Sequence, residues 1–253
     1  MVTADRRALC RRSLRCFNRQ TYPNRELVVV DDGVQDLTPV LDVVPNEQLR
    51  YVRLPADQDY ILGALRNIGL EAATGDFIVQ WDDDDWYHDE RVERQAAVLQ
   101  RGYDACTLHG ALMHIDSPTF LNHPYVGYLE DGVPGTIMHR REPSIRYPEQ
   151  RQAEDTVFLS QWRQRRHFRL AGESAYLFIR CFHGANTWDK THFLRRMRNT
   201  PRDLILYVWH HFVRGDLFGH PRFRLTDRMQ STFQKFLQDS LDLGLLHSTV
   251  SSP

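Results

Sequence analysis

Four consecutive aspartates, Asp82 to Asp85, end the stretch Phe77–Trp86. Two unit charges ~4 Å apart repel by about 4 kcal/mol at an effective dielectric of ~20, and the run contains no basic residue to offset this. A hard divalent cation does offset it. It takes oxygen ligands from one or two carboxylates and the remainder from a phosphate-bearing substrate and water. A solvated acidic loop is the plainer reading of a charge run. It fits less well here, because the run follows directly on apolar Phe77-Ile78-Val79 and is bracketed by Trp81 and Trp86. A second acidic pair, Asp31-Asp32, ends the run Leu27–Val30 just before Gly33, and a third, Glu154-Asp155, opens a stretch of helical character.

These carboxylates need elements to carry them. Glu26 to Asp31, Leu49 to Leu54 and Phe77 onward read as buried strands. Arg6 to Gln20 (Cys10, Leu14 and Phe17 on one face), Tyr60 to Ala73 and Asp89 to Arg101 read as helices. Strand and helix alternate through the first hundred residues, which predicts a parallel, doubly wound α/β sheet. Such sheets bind ligands at the C-terminal ends of their strands, so Asp31-Asp32 and Asp82–Asp85 are expected to face one cleft. Met1-Val2-Thr3 reads as the tail of a strand, which is either very short or lacks upstream residues. Beyond residue 102 the pattern changes. Ala105 to Ile115, Tyr125 to Tyr128, Gly135 to His139 and Ala175 to Cys181 read as strands of a mixed extension, and Gln152 to Gln164 as a helix. Thr200-Pro201-Arg202-Asp203 is a helix start, with a threonine cap, proline in the first turn and an acid three residues on. The helix it opens, Leu204 to Val213, is apolar nearly all round. Leu225, Met229, Phe233, Phe236 and Leu237 form an amphipathic stripe that ends at Gly244. Packing on the preceding domain is the preferred role for both; oligomer or membrane-surface contact is the alternative.

With 253 residues the chain can bury one good core, or one core and a small appendage. A net charge of -1 argues against a general nucleic-acid binder. Lys190 and Lys235 are the only lysines, so the positive charge is almost all arginine. A GC-rich genome accounts for that more readily than phosphate recognition by bidentate arginines does. The four cysteines show no metal-site spacing, and no apolar run is long enough to span a bilayer. A reducing, cytoplasmic location is expected, with contact at the inner membrane face as a further option.

Together the motifs resemble the inverting, GT-A-fold nucleotide-sugar glycosyltransferases of family 2. Val2-Thr3-Ala4-Asp5-Arg6 stands where members carry an apolar strand ending in Pro-Thr-Tyr-Asn-Arg. Gln20-Thr21-Tyr22-Pro23-Asn24 matches word for word. Val30-Asp31-Asp32-Gly33 matches the acidic strand end, Ala64-Leu65-Arg66-Asn67-Ile68-Gly69 the Ala-Arg-Asn-x-Gly helix, and Trp81 to Asp85 the Leu-Asp-x-Asp-Asp metal motif. The resemblance covers residues 1 to about 190. It implies a Rossmann-like mixed central sheet flanked by helices over residues 1–190. Within it, 1–102 is the nucleotide half, 103–190 the acceptor half, and 191–253 a C-terminal helical extension.

It also implies roles. Thr3 and Asp5 resemble edge contacts to the nucleotide, and Asp31 or Asp32 the carboxylate that reads base and ribose. Arg66 resembles the arginine that reaches the diphosphate or base; an exposed helix arginine is its bland counterpart. Asp84 is expected at an Mn²⁺ or Mg²⁺ ion and Asp82 at the ribose or the metal. Asp83 is expected at the donor, and with four acids in a row the register can slip by one. The metal answers the charge that builds on the leaving diphosphate. Asp155 resembles the general base and Glu154 its orienting neighbour, although two acids also stabilise a helix start unaided. For His183, closing the metal site and a purely structural role stand level. Trp81 and Trp86 are core residues in the safer reading and a sugar platform in the other. The implied partners are a nucleoside-diphosphate sugar, UDP favoured, and a glycan, lipid-linked or protein acceptor. Three rival functions fit the residues less well. A nucleotidyltransferase lacks support because no glycine-rich basic loop follows the first strand. A catalytically silent binding module would be expected to have lost one acidic cluster. A free-standing acidic metal-binding domain leaves the separate nucleotide-like cluster unexplained.

Overall fold

The computed structural model describes residues 1–184 and 190–246. The expected alternation is present. β1 (Val2–Thr3), α1 (Arg7–Asn18), β2 (Leu27–Asp31), a one-turn α2 (Thr38–Leu41), β3 (Leu49–Arg53), α3 (Leu62–Ala72) and β4 (Phe77–Val79) lead to β5 (Trp86–Tyr87) and α4 (Arg91–Gln100). Then come β6 (Ala105–Leu108), β7 (Gly110–Ile115), β8 (Tyr125–Tyr128), β9 (Met138–Arg140), α5 (Glu154–Trp162), β10 (His167–Leu170) and β11 (Phe178–Phe182). α6 (Lys190–Arg195), α7 (Pro201–Val208) and α8 (Asp227–Asp242) follow.

The fold is α/β with mixed pairing. β1–β2–β3 is all parallel. A second sheet runs β10–β6–β9–β4 and a third β5–β11–β7–β8, both mixing parallel and antiparallel pairs. Two details differ from the sequence reading. Ala105 to Ile115 is not one strand: the chain breaks at His109, and its halves serve different sheets. The first hundred residues also do not close into one parallel sheet, because β4 pairs antiparallel with β9 and stands at an edge. β1 pairs only with the last rungs of β2, and the early part of β2 faces β4 across a cavity of about 440 Å³ that Met1 helps to line.

Helix α1 buries Cys10, Leu14 and Phe17 against the sheets, as its periodicity predicts. Trp81 and Trp86 are core residues, Trp81 stacked on Tyr87 at 3.8 Å between ring centroids. Helix α8 behaves as its stripe predicts: Met229, Phe233 and Phe236 join the main core. It adds polar anchors, since Asp239 accepts from Arg19 Nη2 (2.6 Å) and from Trp86 Nε1 (2.7 Å). Helix α7 does not follow the expected packing. It ends at Val208 in a wide turn, Trp209–Val213. Leu204, Ile205, Val208, Trp209, Phe212 and Val213 are all exposed, and its inner face is narrow, made of Asp203, Leu206, Tyr207 and His210. No helix among the described residues is long and apolar enough to cross a membrane.

Candidate active site

A cavity of about 320 Å³ opens where β1, β2 and β4 end. Thr3, Arg6, Asp32, Arg66, Asp82–Asp85, Glu154, Asp155 and Arg180 line it. The two aspartate clusters therefore share one cleft, as strand-end placement predicts.

The acidic run is held from behind by its own backbone. Ser13 Oγ donates to Asp82 O (3.0 Å) and Arg12 Nη2 to Asp84 O (2.6 Å), both from the buried side of α1. The Asp82 N–H donates to Tyr87 Oη at 2.6 Å, and that hydroxyl donates to Asp82 O at 3.0 Å. Arg12 also donates to Ser240 Oγ (3.1 Å), so α8 braces the run from below. With the backbone fixed, successive side chains point different ways. Asp85 turns inward and accepts from Cys181 N at 3.0 Å. Arg6 Nη1 stands 3.4 Å from both Asp83 Oδ1 and Asp84 Oδ2. His183 Nε2 reaches back to 3.4 Å from Asp84 Oδ2. Residues 185–189, which the sequence reading joined to it, lie outside the described residues.

The electrostatics differ among neighbours. Burial, then the charge on Asp84, push the Asp83 carboxyl up to about 7. Burial and the same neighbour raise Asp85 well above the carboxylate range. Burial also opposes charge on Asp84, but the His183 hydrogen bond and Arg6 outweigh it and hold its pKa low. One charge of the run is thus concentrated at Asp84, the position that both basic groups face.

One face of α3 joins this run to the acceptor side. Gly63, Arg66 and Asn67 lie at i, i+3 and i+4 and so point the same way. Gly63 has to be glycine: a Cβ there would stand 1.9 Å from Pro148 O. Asn67 exchanges two 2.9 Å hydrogen bonds with the backbone of Tyr147. Between them, Arg66 donates from Nη1 to Asp82 Oδ1 (2.9 Å) and from Nε to Glu154 Oε1 (3.0 Å), with its guanidinium over the Tyr147 ring. Arg66 is no exposed helix arginine; it is a buried bracket between β4 and α5. Glu154 is nearly fully buried; burial raises its pKa and Arg66 opposes the rise. Asp155 lines the cleft, and its Oδ1 accepts from Thr156 N at 2.7 Å. Ala153 before it adopts a left-handed backbone (φ 58°), a conformation costing an L-residue about 1–2 kcal/mol. Among the described residues only Asp5 (φ 56°) shares this among non-glycines. Both strained residues thus adjoin the cleft, where such strain is typically retained.

Thr3, Asp32, Arg66, Asp82, Asp83, Asp84, Glu154 and Asp155 come together at the cleft, with His183 reaching it through Asp84. Asp31 and Asp5 are not among its lining residues. Asp31 is fully buried and accepts from Tyr51 Oη (2.6 Å), Gly33 N (2.9 Å) and Arg53. Asp5 is exposed and accepts from Gln35 N at 2.7 Å, tying down the loop after β2. Sequence reasoning missed Arg6, Arg12, Ser13, Tyr87 and Arg180. Arg12 and Ser13 carried a signal, since polar residues sit beside Cys10 and Leu14 on an otherwise apolar helix face.

Among the described residues no three His, Cys, Asp or Glu side chains are grouped to enclose a metal ion. A site that leaves positions to phosphate and water has no need of such a cage. The residues present fit that open type: Asp83 Oδ2 is buried without a hydrogen-bond partner among the described residues, beside the charged Asp84.

The sequence profile described as "Glycosyl transferase family 2" matches residues 1–170. The chain belongs to this family. Its relatives include the amylovoran biosynthesis glycosyltransferase AmsB of Erwinia amylovora, 32% identical over 94 residues, or 35% of this chain and 31% of that one. The hyaluronan synthase of Pasteurella multocida is 34% identical over 131 residues, covering 49% of this chain and 13% of that protein. The matched stretch thus spans about a third or less of these relatives. Among solved structures, S. aureus TarS 1–349 in complex with UDP aligns over 98% of this chain and 82% of its own (TM-score 0.52, 17% identity). The mannosyltransferase PcManGT of Pyrobaculum calidifontis, in complex with GDP-Man and Mn²⁺, aligns over 95% and 73% (TM-score 0.54, 14% identity). At these identities the likeness shows the GT-A fold that the family 2 chain shares with them.

Proposed function

We propose that this family 2 chain transfers a sugar from a nucleoside-diphosphate donor, UDP favoured, to an acceptor hydroxyl with inversion, and that Asp155 is the general base. The observation that carries the reading is the Arg66 bracket. It ties Asp82 to Glu154, so that the acidic run and Asp155 line one cavity. Thr3 and Asp32, at the ends of β1 and β2, receive the nucleoside. Arg6, beside Asp83 and Asp84, is placed to meet the diphosphate as well. Glu154 pairs with Arg66 and fixes the first turn of α5. Asp155, on that turn, accepts the proton of the attacking hydroxyl. Asp84, Asp82 and His183 are the residues that would hold Mn²⁺ or Mg²⁺. When bound, such an ion supplies Lewis-acid stabilisation of the charge building on the leaving diphosphate. The complexes of the structural neighbours with UDP and with GDP-Man and Mn²⁺ support this donor class.

Calorimetric titration of UDP, GDP and dTDP, each with and without Mn²⁺, tests the donor half on wild type and Asp84→Ala. Mn²⁺-dependent binding of one nucleotide, lost in the variant, is expected. Failure of every nucleotide to bind under any metal condition would sink the donor-site assignment.

A further inference from the structure

Helix α7 and the turn after it present an apolar face to solvent. Leu204/Ile205, Val208/Trp209 and Phe212/Val213 recur every four residues, which sets them along one stripe of a helical segment. Ile205 and Phe212 are each 70% exposed, and Trp209 is 50% exposed. The opposite side is anchored to the protein. Asp203 is paired with Arg222 through both carboxylate oxygens, His210 is buried, and Tyr207 packs on the cluster around Phe120, Tyr125 and Phe193. The outward side is thus the more apolar of the two, the reverse of a helix built to bury its hydrophobic face in its own domain.

The charge around this stripe identifies what covers it. Residues 190–224 carry eight lysines or arginines and two aspartates. Both aspartates are engaged locally, Asp203 by Arg222 and Asp216 by Gly219 N. Arg195, Arg202, Arg214 and Arg224 are exposed, and Arg202 and Arg214 stand at the two ends of the stripe. The chain as a whole has a net charge of -1, so this excess is local. Two copies meeting face to face would bring like charges together. An apolar strip holding tryptophan and phenylalanine within a basic rim has the composition of a helix lying in the headgroup–acyl boundary of an anionic bilayer. α7 and its turn are too short to cross one.

We propose that α7 and the turn to Val213 dock this protein on a bilayer surface bearing anionic phospholipid headgroups, with Ile205, Trp209 and Phe212 inserted and Arg202 and Arg214 at the headgroups. The inference is independent of donor chemistry and needs no turnover to test. The full chain is floated with vesicles of phosphatidylcholine alone and of phosphatidylcholine with phosphatidylglycerol, at low and physiological salt. Wild type is expected to float with the anionic vesicles, and less so as salt rises. Ile205→Ser/Phe212→Ser is expected to lose binding. Arg202→Ser/Arg214→Ser is expected to need about thirtyfold more lipid, given roughly a kcal/mol per basic residue at such a surface. All four positions are exposed, so unchanged circular dichroism and melting temperature check that the variants fold. Absence of wild-type binding to anionic vesicles overturns the proposal. So does equal binding by wild type and both variants. A dimer that forms without lipid and is lost in Ile205→Ser/Phe212→Ser overturns it too, because the stripe would then be a self-association face.

Discussion

Replacing Arg66 with alanine tests the central bracket most directly. The Arg66 side chain is 11% exposed, and its partners Asp82 and Glu154 are 19% and 5% exposed. Removing one member of a buried ion pair costs about 3–5 kcal/mol, because the remaining charge has no compensation. Asp82 keeps a second donor, Gln80 Nε2 at 3.0 Å, so the low end, about 3 kcal/mol, is expected. For a chain of this size that lowers Tm by about 6–12 °C. The pH dependence gives the sharper signature. Burial already raises Glu154 and Arg66 opposes it, so Arg66→Ala raises the folded-state pKa further. A carboxyl raised on folding binds its proton more tightly in the native state. Its contribution is therefore fully present below the unfolded pKa, about 4.3, and is lost as pH rises through the folded value. The Tm deficit of Arg66→Ala relative to wild type should be small near pH 4.5 and largest near pH 8, by differential scanning calorimetry. Adding Glu154→Gln in the same background should recover part of the loss at pH 8 and flatten the profile. A deficit under about 1 kcal/mol, equal at both pH values, is what a solvated surface pair gives, and it would refute the bracket.

Other outcomes follow from the same geometry. Asp155→Asn should lower the transfer rate by about 10²–10⁴-fold while leaving calorimetric nucleotide binding intact; an unchanged rate would remove Asp155 from the base role. Burial takes His139 down to about 4, so its neutral form contributes stability that is complete above the ordinary value near 6.5 and is lost as pH falls toward 4, by up to about 3 kcal/mol. Wild-type Tm should drop through that window and His139→Phe should show a shallower drop, an identical slope counting against the assignment.

Much of the scaffold was legible in the chain because local rules and global packing agree there. Cys10, Leu14 and Phe17 sit at helical spacing and are buried. Leu27 to Val30 is apolar and becomes a strand between two neighbours. Where an element is two residues long, as in β5, periodicity has too few residues to register; Gly135 to His139 and Ala175 to Cys181 were legible as strands, but β9 and β11 start later because a tight turn occupies the first residues of each. α7 shows the opposite failure. Its apolar composition reads as core, yet hydrophobicity says only that a face needs covering and leaves its occupant open.

The sequence by itself determined that carboxylates end two strands and open one helix, and that they would meet at the C-terminal edge of an α/β sheet. Tertiary structure alone decided how the neighbours divide the work. Asp31 and Asp32 are adjacent in sequence, but consecutive side chains on a strand point to opposite faces, so Asp31 is buried against Tyr51 and Arg53 while Asp32 faces the cleft. Asp82 to Asp85 are chemically identical, and their charges are separated only by what each one meets: Arg66, burial, His183 and Cys181 N. Arg66 and Glu154 lie 88 positions apart, a contact no local pattern encodes. The close packing of Gly63 on Pro148 makes it possible, because only a residue without a Cβ lets α3 approach the loop leading to α5.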